Sequence, residues 1–268
     1  VEEEPEKPKV QVDDKIKFVI FGSDSRDTED SYAGRSDTII IVVINNVDKS
    51  INLISIPRDT YVNVPDYGMT KINHAYAYGQ EQLSIKTINS YFGLDLTQYM
   101  TIDFSGLVNS IDRVGGVELT LDQDEVNFIN QRVSAENQIA GAGTVTLNGT
   151  QALAHSRNRY VGNDFTRASR QRAILVSLIN KMAKMDVNEI LDISDDILVN
   201  ITTNMDINKY RDMFIEVASD RQEYLNNINS VQIPSTEYGY DLMLDGIYYF
   251  GFDLDRAKQD FRTYYYGE

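Results

Sequence analysis

The sequence predicts an α/β fold built on a mixed sheet. Three observations carry this. Strand-like and helix-like segments alternate along the 268 residues. Thr38 to Ile44 is continuous and β-branched, as in a strand buried on both faces. From Asp164 to about Met185, apolar residues keep the helical period at Ala168, Ile174, Leu175, Leu178, Ile179 and Met182.

Residues 1–15 read VEEEPEKPKVQVDDK, a charged, proline-bearing stretch that predicts a solvated stem. One folded domain is expected over 16–268. Ile16 to Phe21 is a β-rich run ending at Gly22. Asn45, Asn46 and Asp48 turn the chain from Thr38–Ile44 into Ile51–Ile56, so these two strands form an antiparallel hairpin. Pro57 ends the third strand. A helix is expected over 73–91 with Gly93 as its stop, then a strand over 99–104. Ser105 to Val114 reads as a helix halted by Gly115 and Gly116, and Val117 to Leu121 as a strand. Residues 122–143 read as helix then loop, and 150–155 as a short helix. Helices are expected near 187–198 and 207–220, strands at 231–233 and 242–244, and a final helix over 253–265 capped by Asp253.

Composition narrows the chemistry. There are 25 Lys plus Arg against 41 Asp plus Glu, a net charge of -16. That field repels polyanions, so a general nucleic-acid binder is not expected. With no cysteine, thiol catalysis, thiolate metal sites and disulfides are excluded. His74 and His155 are the two histidines, read as a helix-start residue and a packed or capping residue. No apolar run approaches a membrane span. No G-x-S-x-G elbow, Walker motif or G-x-G-x-x-G is present.

The arginines are unevenly placed. Five of fourteen, Arg157, Arg159, Arg167, Arg170 and Arg172, fall within residues 157–172, where Asp164 is the sole acid. Guanidinium forks bind phosphate in bidentate fashion and stay charged, so this island suits an anion. The alternative is a solvated helix face. At about 100° per residue, Asp164, Arg167 and Gln171 share one helix face, with Asp164 near the N-terminus. Arg157 and Arg159 point the same way if that segment is extended. A second constellation is Asp24, just after the first strand, and Asp37, just before the second. Antiparallel pairing brings both to one sheet end, and two hard oxygen donors without histidine suit Mg2+. The alternative is that both simply cap turns. Arg58 leaves the end of the third strand behind Pro57, either as part of this site or in a surface ion pair with Asp59. Lys71 adds a further positive charge.

These residues lie in stretches that resemble the LytR-CpsA-Psr (LCP) family of cell-envelope phosphotransferases. The matching stretches are FGSDSRD (21–27), GRSDTIIIV (34–42), ISIPRDTYV (54–62), KINHAYAYG (71–79), VGGVEL (114–119), LNGTQALAHSRNR (147–159) and DFTRASRQRAIL (164–175). They run in family order from about residue 16 to 185. The resemblance implies a mixed, largely antiparallel central β-sheet flanked by α-helices, with a hydrophobic lipid tunnel. It implies transfer of a glycopolymer from an undecaprenyl diphosphate carrier to peptidoglycan, the polymer being wall teichoic acid, capsular or rhamnose-type polysaccharide. It implies Mg2+, with Mn2+ as the alternative ion, on Asp24 and Asp37. Arg35, Arg58, Lys71, Arg157, Arg159, Arg167 and Gln171 correspond to the diphosphate clamp, with Asp164 as an acid in the same site. His155 stands where the family commonly has Tyr. An extracytoplasmic location with an N-terminal membrane anchor outside this chain is the matching expectation.

On this reading Arg58, Asp164, Arg157, Arg159 and Arg167 are the catalytic set. Asp164 is the candidate base, though neighbouring cations weaken it as one. Two competing functions remain open on sequence: a Mg-dependent polyprenyl-diphosphate hydrolase, and a non-enzymatic lipid- or wall-binding scaffold. The tunnel is expected between the Ile39 to Ile44 strand and the helix face of Ile174, Leu175 and Leu178.

Overall fold

The structure is a computed structural model that describes residues 14–23, 34–158, 160, 164–206, 217 and 219–268. The chain runs through β1 (Lys15–Ser23), β2 (Ser36–Asn45), β3 (Ser50–Ser55), β4 (Tyr61–Val64), β5 (Gly68–Lys71) and α1 (Ile72–Phe92). It continues through β6 (Gln98–Asp103), α2 (Phe104–Arg113), β7 (Val117–Leu121), α3 (Gln123–Asn130), β8 (Gly143–Leu147), α4 (Gly149–Ser156) and α5 (Asp164–Met182). Then come α6 (Val187–Leu198), β9 (Ile201–Thr203), a short helix Arg221–Asn226, β10 (Ile228–Gln232), β11 (Gly239–Leu244), β12 (Ile247–Phe252) and a last helix Leu254–Phe261.

Six strands form the central sheet in the order β10-β3-β2-β1-β6-β9. Pairing is antiparallel at β3–β2, β2–β1 and β6–β9, and parallel at β10–β3 and β1–β6. The sheet is therefore mixed and largely antiparallel, flanked by helices. Strand alternation sends side chains to two separate layers. Val19, Phe21, Ile39, Ile41, Val43 and Ile54 pack under α1 and the last helix. Phe18, Ile40, Val42, Ile44, Ile51 and Leu53 face the other side, against Leu175, Val176 and Ile179 of α5. A third cluster joins the β7–β8 hairpin to α2, α3, α4 and Ile174. Because both faces of β2 are buried, its sequence reads as an unbroken apolar run rather than an alternation.

Several boundaries differ from the sequence expectation for local reasons. Lys15 already belongs to β1, pairing with Asn45, so the expected stem of 1–15 reaches one residue too far; residues 1–13 lie outside the description. The expected helix at 73–91 is present as α1, but Gly79 and Gln80 leave helical geometry and split it. It stops where expected, with Gly93 in the left-handed region at φ 77°. The loop expected before residue 143 is followed by an unexpected strand, β8, which supplies the partner of β7. β4, β5, β9 and β12 were also not legible, since three of them span four residues or fewer and show no usable period. The expected helix at 207–220 falls mostly outside the described residues. The last helix starts at its Asp253 cap but passes into a wider π-helical turn at Arg262–Tyr266. Among the described residues, no helix is long and apolar enough to cross a membrane.

Candidate active site

β1, β3 and β6 end, and β2 begins, at one edge of the sheet. Gly22 pairs with Thr38 but Ser23 pairs with Ser36, which makes Asp37 the extra residue of a β-bulge. A bulge re-aims the side chain it carries. Gly22 permits this close approach, since a Cβ there would lie 2.8 Å from Thr38 Cβ. Ser36 Oγ donates to Thr38 O at 2.5 Å and braces the kink. Asp37 so faces the end of β3, where Pro57 has ended the strand and released Arg58.

Arg58 is the hub. Its Nη1 donates to Asp37 Oδ1 at 2.7 Å. Its Nε lies 3.4 Å from Asp164 Oδ1 and 3.5 Å from Asp59 Oδ2. Burial lowers the Arg58 pKa, but Asp37, Asp164 and Asp59 outweigh it and the net shift is upward. Asp164 opens α5 and also takes Arg167 Nη2 at 3.0 Å, one helical turn on. Arg167 Nη2 further reaches Asp37 O at 3.4 Å. Lys71, at the end of β5, donates to Asp59 Oδ1 at 2.6 Å. The helical phase expected for Asp164, Arg167 and Gln171 holds: Arg167 and Gln171 both line one cavity beside Asp37.

That cavity measures about 840 Å3. Asp37, Arg157, Arg167 and Gln171 line it together with the apolar Ile20, Ile40, Ile102, Leu107, Leu153 and Leu175. It lies between the sheet and α5 with α2 and α4, close to where an apolar tunnel was expected. The expected walls are only partly right. Ile40, Ile174 and Leu175 line it, but Val42 and Ile44 are packed solid against α5, and Leu178 packs on the third cluster. Ile39, Ile41 and Val43 point to the opposite layer. Chain alternation on β2 makes this unavoidable.

The arginine-rich stretch divides by role. Arg157 ends α4, exposed, with its guanidinium 4.5 Å from the Phe104 ring in the cavity wall. Arg170 is buried against Glu125 at 2.7 Å and also donates to Asn158 O. Arg172 is buried too and donates to the hydroxyls of Ser55 and Ser230, with no acid paired to it among the described residues. Burial brings its pKa down to about 10. These last two hold α5 to its neighbours. Arg35 is exposed ahead of β2, outside the ion-pair network around Arg58; after burial, its charge is the next cause that lowers the His74 pKa. Asp24 and Arg159 lie outside the described residues. His74 begins α1 and its Nδ1 meets Thr70 Oγ1 at 2.8 Å. His155 is packed, as expected, at 3% exposure.

Three residues were missed. Asp59 is no surface partner of Arg58: it is 8% exposed and joins Arg58 to Lys71. Its position directly after Arg58 was the available signal. Asp103 ends β6 opposite Ser23, lines the cavity and caps α2 by accepting from Gly106 N at 2.7 Å. Arg132 also lines the cavity, with its guanidinium 3.5 Å from the Phe128 ring. Nothing local in the sequence marked either one.

Asp37 supplies a hard, half-buried carboxylate to this cavity, a donor that suits Mg2+. Among the described residues no group of three or more His, Asp or Glu forms a closed metal cage. A Mg2+ ion here would complete its shell with water and phosphate oxygens, as Mg2+ commonly does.

Sheet, helices and a cavity lined by both charged and apolar side chains define a three-layer α/β protein with an amphiphilic chamber. The LytR_cpsA_psr family profile matches residues 1–263, and the chain belongs to that family. It is 30% identical over 273 residues to the polyisoprenyl-teichoic acid–peptidoglycan teichoic acid transferase TagU of Enterococcus faecalis, covering 97% of this chain and 84% of that one. The TagU of Oceanobacillus iheyensis is 34% identical over 250 residues, covering 88% and 71%. The solved structure of TagT bound to LIIa-WTA matches with a TM-score of 0.76 at 27% identity, over 93% of this chain and 90% of that one. TagT with bound octaprenyl pyrophosphate lipid gives 0.71 at 26% identity, over 93% and 90%.

Proposed function

We propose that this protein transfers a glycopolymer of the wall teichoic acid type from a polyprenyl diphosphate carrier to peptidoglycan, leaving a phosphodiester link. The observation that carries the reading is the Asp37–Arg58–Asp164–Arg167 network beside a cavity with apolar walls. An amphiphile with an anionic head fits both halves. The names of the relatives supply the polymer and the acceptor. On this reading the reaction takes place at the extracytoplasmic face of the membrane, where peptidoglycan lies.

Arg58, Arg157 and Arg167, with Gln171 and Lys71, hold the diphosphate and stabilise charge on the transferring phosphoryl group. Arg35 and Arg159 are kept in the clamp on the strength of the sequence. A peptidoglycan hydroxyl oxygen forms the new bond to the phosphorus that carries the polymer. The bond from that phosphorus to the bridging oxygen breaks, and polyprenyl phosphate leaves with the electron pair. Asp164 receives the hydroxyl proton. Asp37 with Asp24 would hold Mg2+, which when bound supplies charge neutralisation between the carboxylates and the phosphates. Preorganised cations of this kind are the main catalytic term in phosphoryl transfer, and losing one donor costs about 10- to 1000-fold.

The test is incubation of the protein with a lipid diphosphate-linked saccharide and Mg2+, with and without peptidoglycan. Covalent attachment that depends on the acceptor and stops with EDTA is the expected result. Acceptor-independent release of polyprenyl phosphate identifies a hydrolase, and no turnover identifies a binding scaffold.

A further inference from the structure

We propose that the β11–β12 hairpin is the acceptor wall of this site, with the Tyr248 ring as the platform on which the incoming glycan stacks. The inference rests on the transferase reading above.

The hairpin is docked on the ion-pair network by its main chain. Phe250 N donates to Asp59 O at 2.8 Å, and Thr60 and Phe250 form a parallel bridge. The Phe250 ring meets Phe165, the neighbour of Asp164, with centroids 4.8 Å apart. Tyr248 is two residues before Phe250, so its ring leaves the same face of β12. It is half-buried, with its hydroxyl donating to Asp241 Oδ1 at 3.0 Å. Burial first, then Asp241, raises the Tyr248 pKa, and Asp59 and Asp164 add to the rise. The phenol is neutral at any physiological pH. Tyr249 leaves the opposite face, where Tyr61 lies 4.8 Å away and Lys71 5.7 Å above its ring.

Geometry assigns this side to the acceptor. Displacement at phosphorus places the attacking and leaving oxygens roughly in line, on opposite sides. The largely apolar cavity, which Asp37, Arg167 and Gln171 also line, takes the polyprenyl side. Asp59, Lys71 and Tyr248 do not line that cavity; Asp59 lies beside Arg58, pairs with Lys71 and takes the hairpin's Phe250 N–H on its carbonyl oxygen. The nucleophile must enter there.

Charge selects what enters. Asp59 and Asp164 meet Arg58, Asp241 accepts from Tyr248 on the hairpin, and Lys71 is already paired with Asp59. An anionic polymer is repelled, whereas an uncharged sugar is not. A pyranose C–H face matches the negative face of an aromatic ring. The Asp241 carboxylate accepts from sugar hydroxyls. An uncharged, N-acetylated glycan strand is the class that fits.

The experiment measures transfer from a short-chain polyprenyl diphosphate saccharide to a soluble peptidoglycan oligosaccharide, with donor affinity measured by calorimetry. Tyr248→Ala should raise the acceptor KM at least tenfold and leave the donor Kd within twofold. Tyr248→Phe keeps the ring and should stay within threefold of wild type in acceptor KM. Tyr67→Ala, an exposed ring in the β4–β5 turn stacked on Tyr78, serves as a surface control and should change neither. If Tyr248→Ala keeps the wild-type acceptor KM while wild type transfers normally, the hairpin inference is wrong and the transferase reading stands. Loss of donor affinity in Tyr248→Phe, or an equal KM rise in Tyr67→Ala, also overturns it. A wild-type protein that releases polyprenyl phosphate but modifies no glycan overturns both.

Discussion

Arg58 Nη1 lies 2.7 Å from Asp37 Oδ1, although the two residues are 21 apart, one in β2 and the other in the turn after β3. The bulge on β2 and the proline after β3 create this contact. The same guanidinium faces Asp59 and Asp164, so one planar group organises three carboxylates.

Replacing Arg58 by Lys removes that geometry while keeping the charge. A single ammonium cannot meet three carboxylates and a phosphate at once. Transfer should fall about 100-fold, within the range for one lost preorganised donor. Thermal melting should shift by only a few degrees. A rate assay and a melt on the same preparation check this.

Arg157 and Arg170 separate binding from architecture within one arginine-rich stretch. Arg157→Ala should abolish most transfer and leave the melting temperature unchanged, since the residue is exposed and lines the cavity. Arg170→Ala strands Glu125 in the interior, and breaking a buried pair costs about 3–5 kcal/mol. Chemical denaturation of the two variants should rank them in the opposite order to their transfer rates.

Leu175 lines the cavity between the sheet and α5. Leu175→Trp should fill part of the cavity and exclude a long prenyl tail. Affinity for a long-chain polyprenyl diphosphate should drop about tenfold or more, with affinity for a water-soluble diphosphate unchanged. Calorimetry with both ligands reads the difference. Equal loss of the two would place the tail elsewhere.

His155 predicts a pH dependence of stability. Burial pushes its pKa down from 6.5 to about 4, with Arg170 adding to the drop against Glu125 and Asp122. The fold holds it neutral, whereas the unfolded chain takes up a proton below its ordinary pKa. Its stabilising contribution is therefore complete above pH 6.5 and is lost as pH falls toward 4. The amount is about 3 kcal/mol, from 1.4 kcal/mol per pH unit. His155→Gln should flatten the stability profile across that window, measured by urea titrations at a series of pH values.

Much of this was legible in the residues themselves. Polar and apolar periodicity placed β2, β3, α1 and α2 within a residue or two and α5 within three, because each is long enough for its period to show. The β2–β3 pairing followed from strand order and a short turn. Asp164, Arg167 and Gln171 shared a face because helical phase is a local property. The motif order pointed to the family before any contact was visible.

Local sequence could not decide which charges work and which merely hold the fold. Arg167, Arg170 and Arg172 sit within six residues of one another on one helix, yet the first lines the cavity, the second is locked to Glu125 and the third meets the hydroxyls of Ser55 and Ser230. Rotation about the helix axis and the identity of the packing partner settle that. Asp59 looked like a surface acid until β5 and β12 closed around it. The cavity walls likewise depended on which face of β2 met α5, and one strand's alternation allowed Ile40 but not Ile39 or Ile41. Sequence determined the elements and the kinds of charge, since both depend on neighbours along the chain. Tertiary structure decided their convergence, since distance through space is set by packing between segments far apart in sequence.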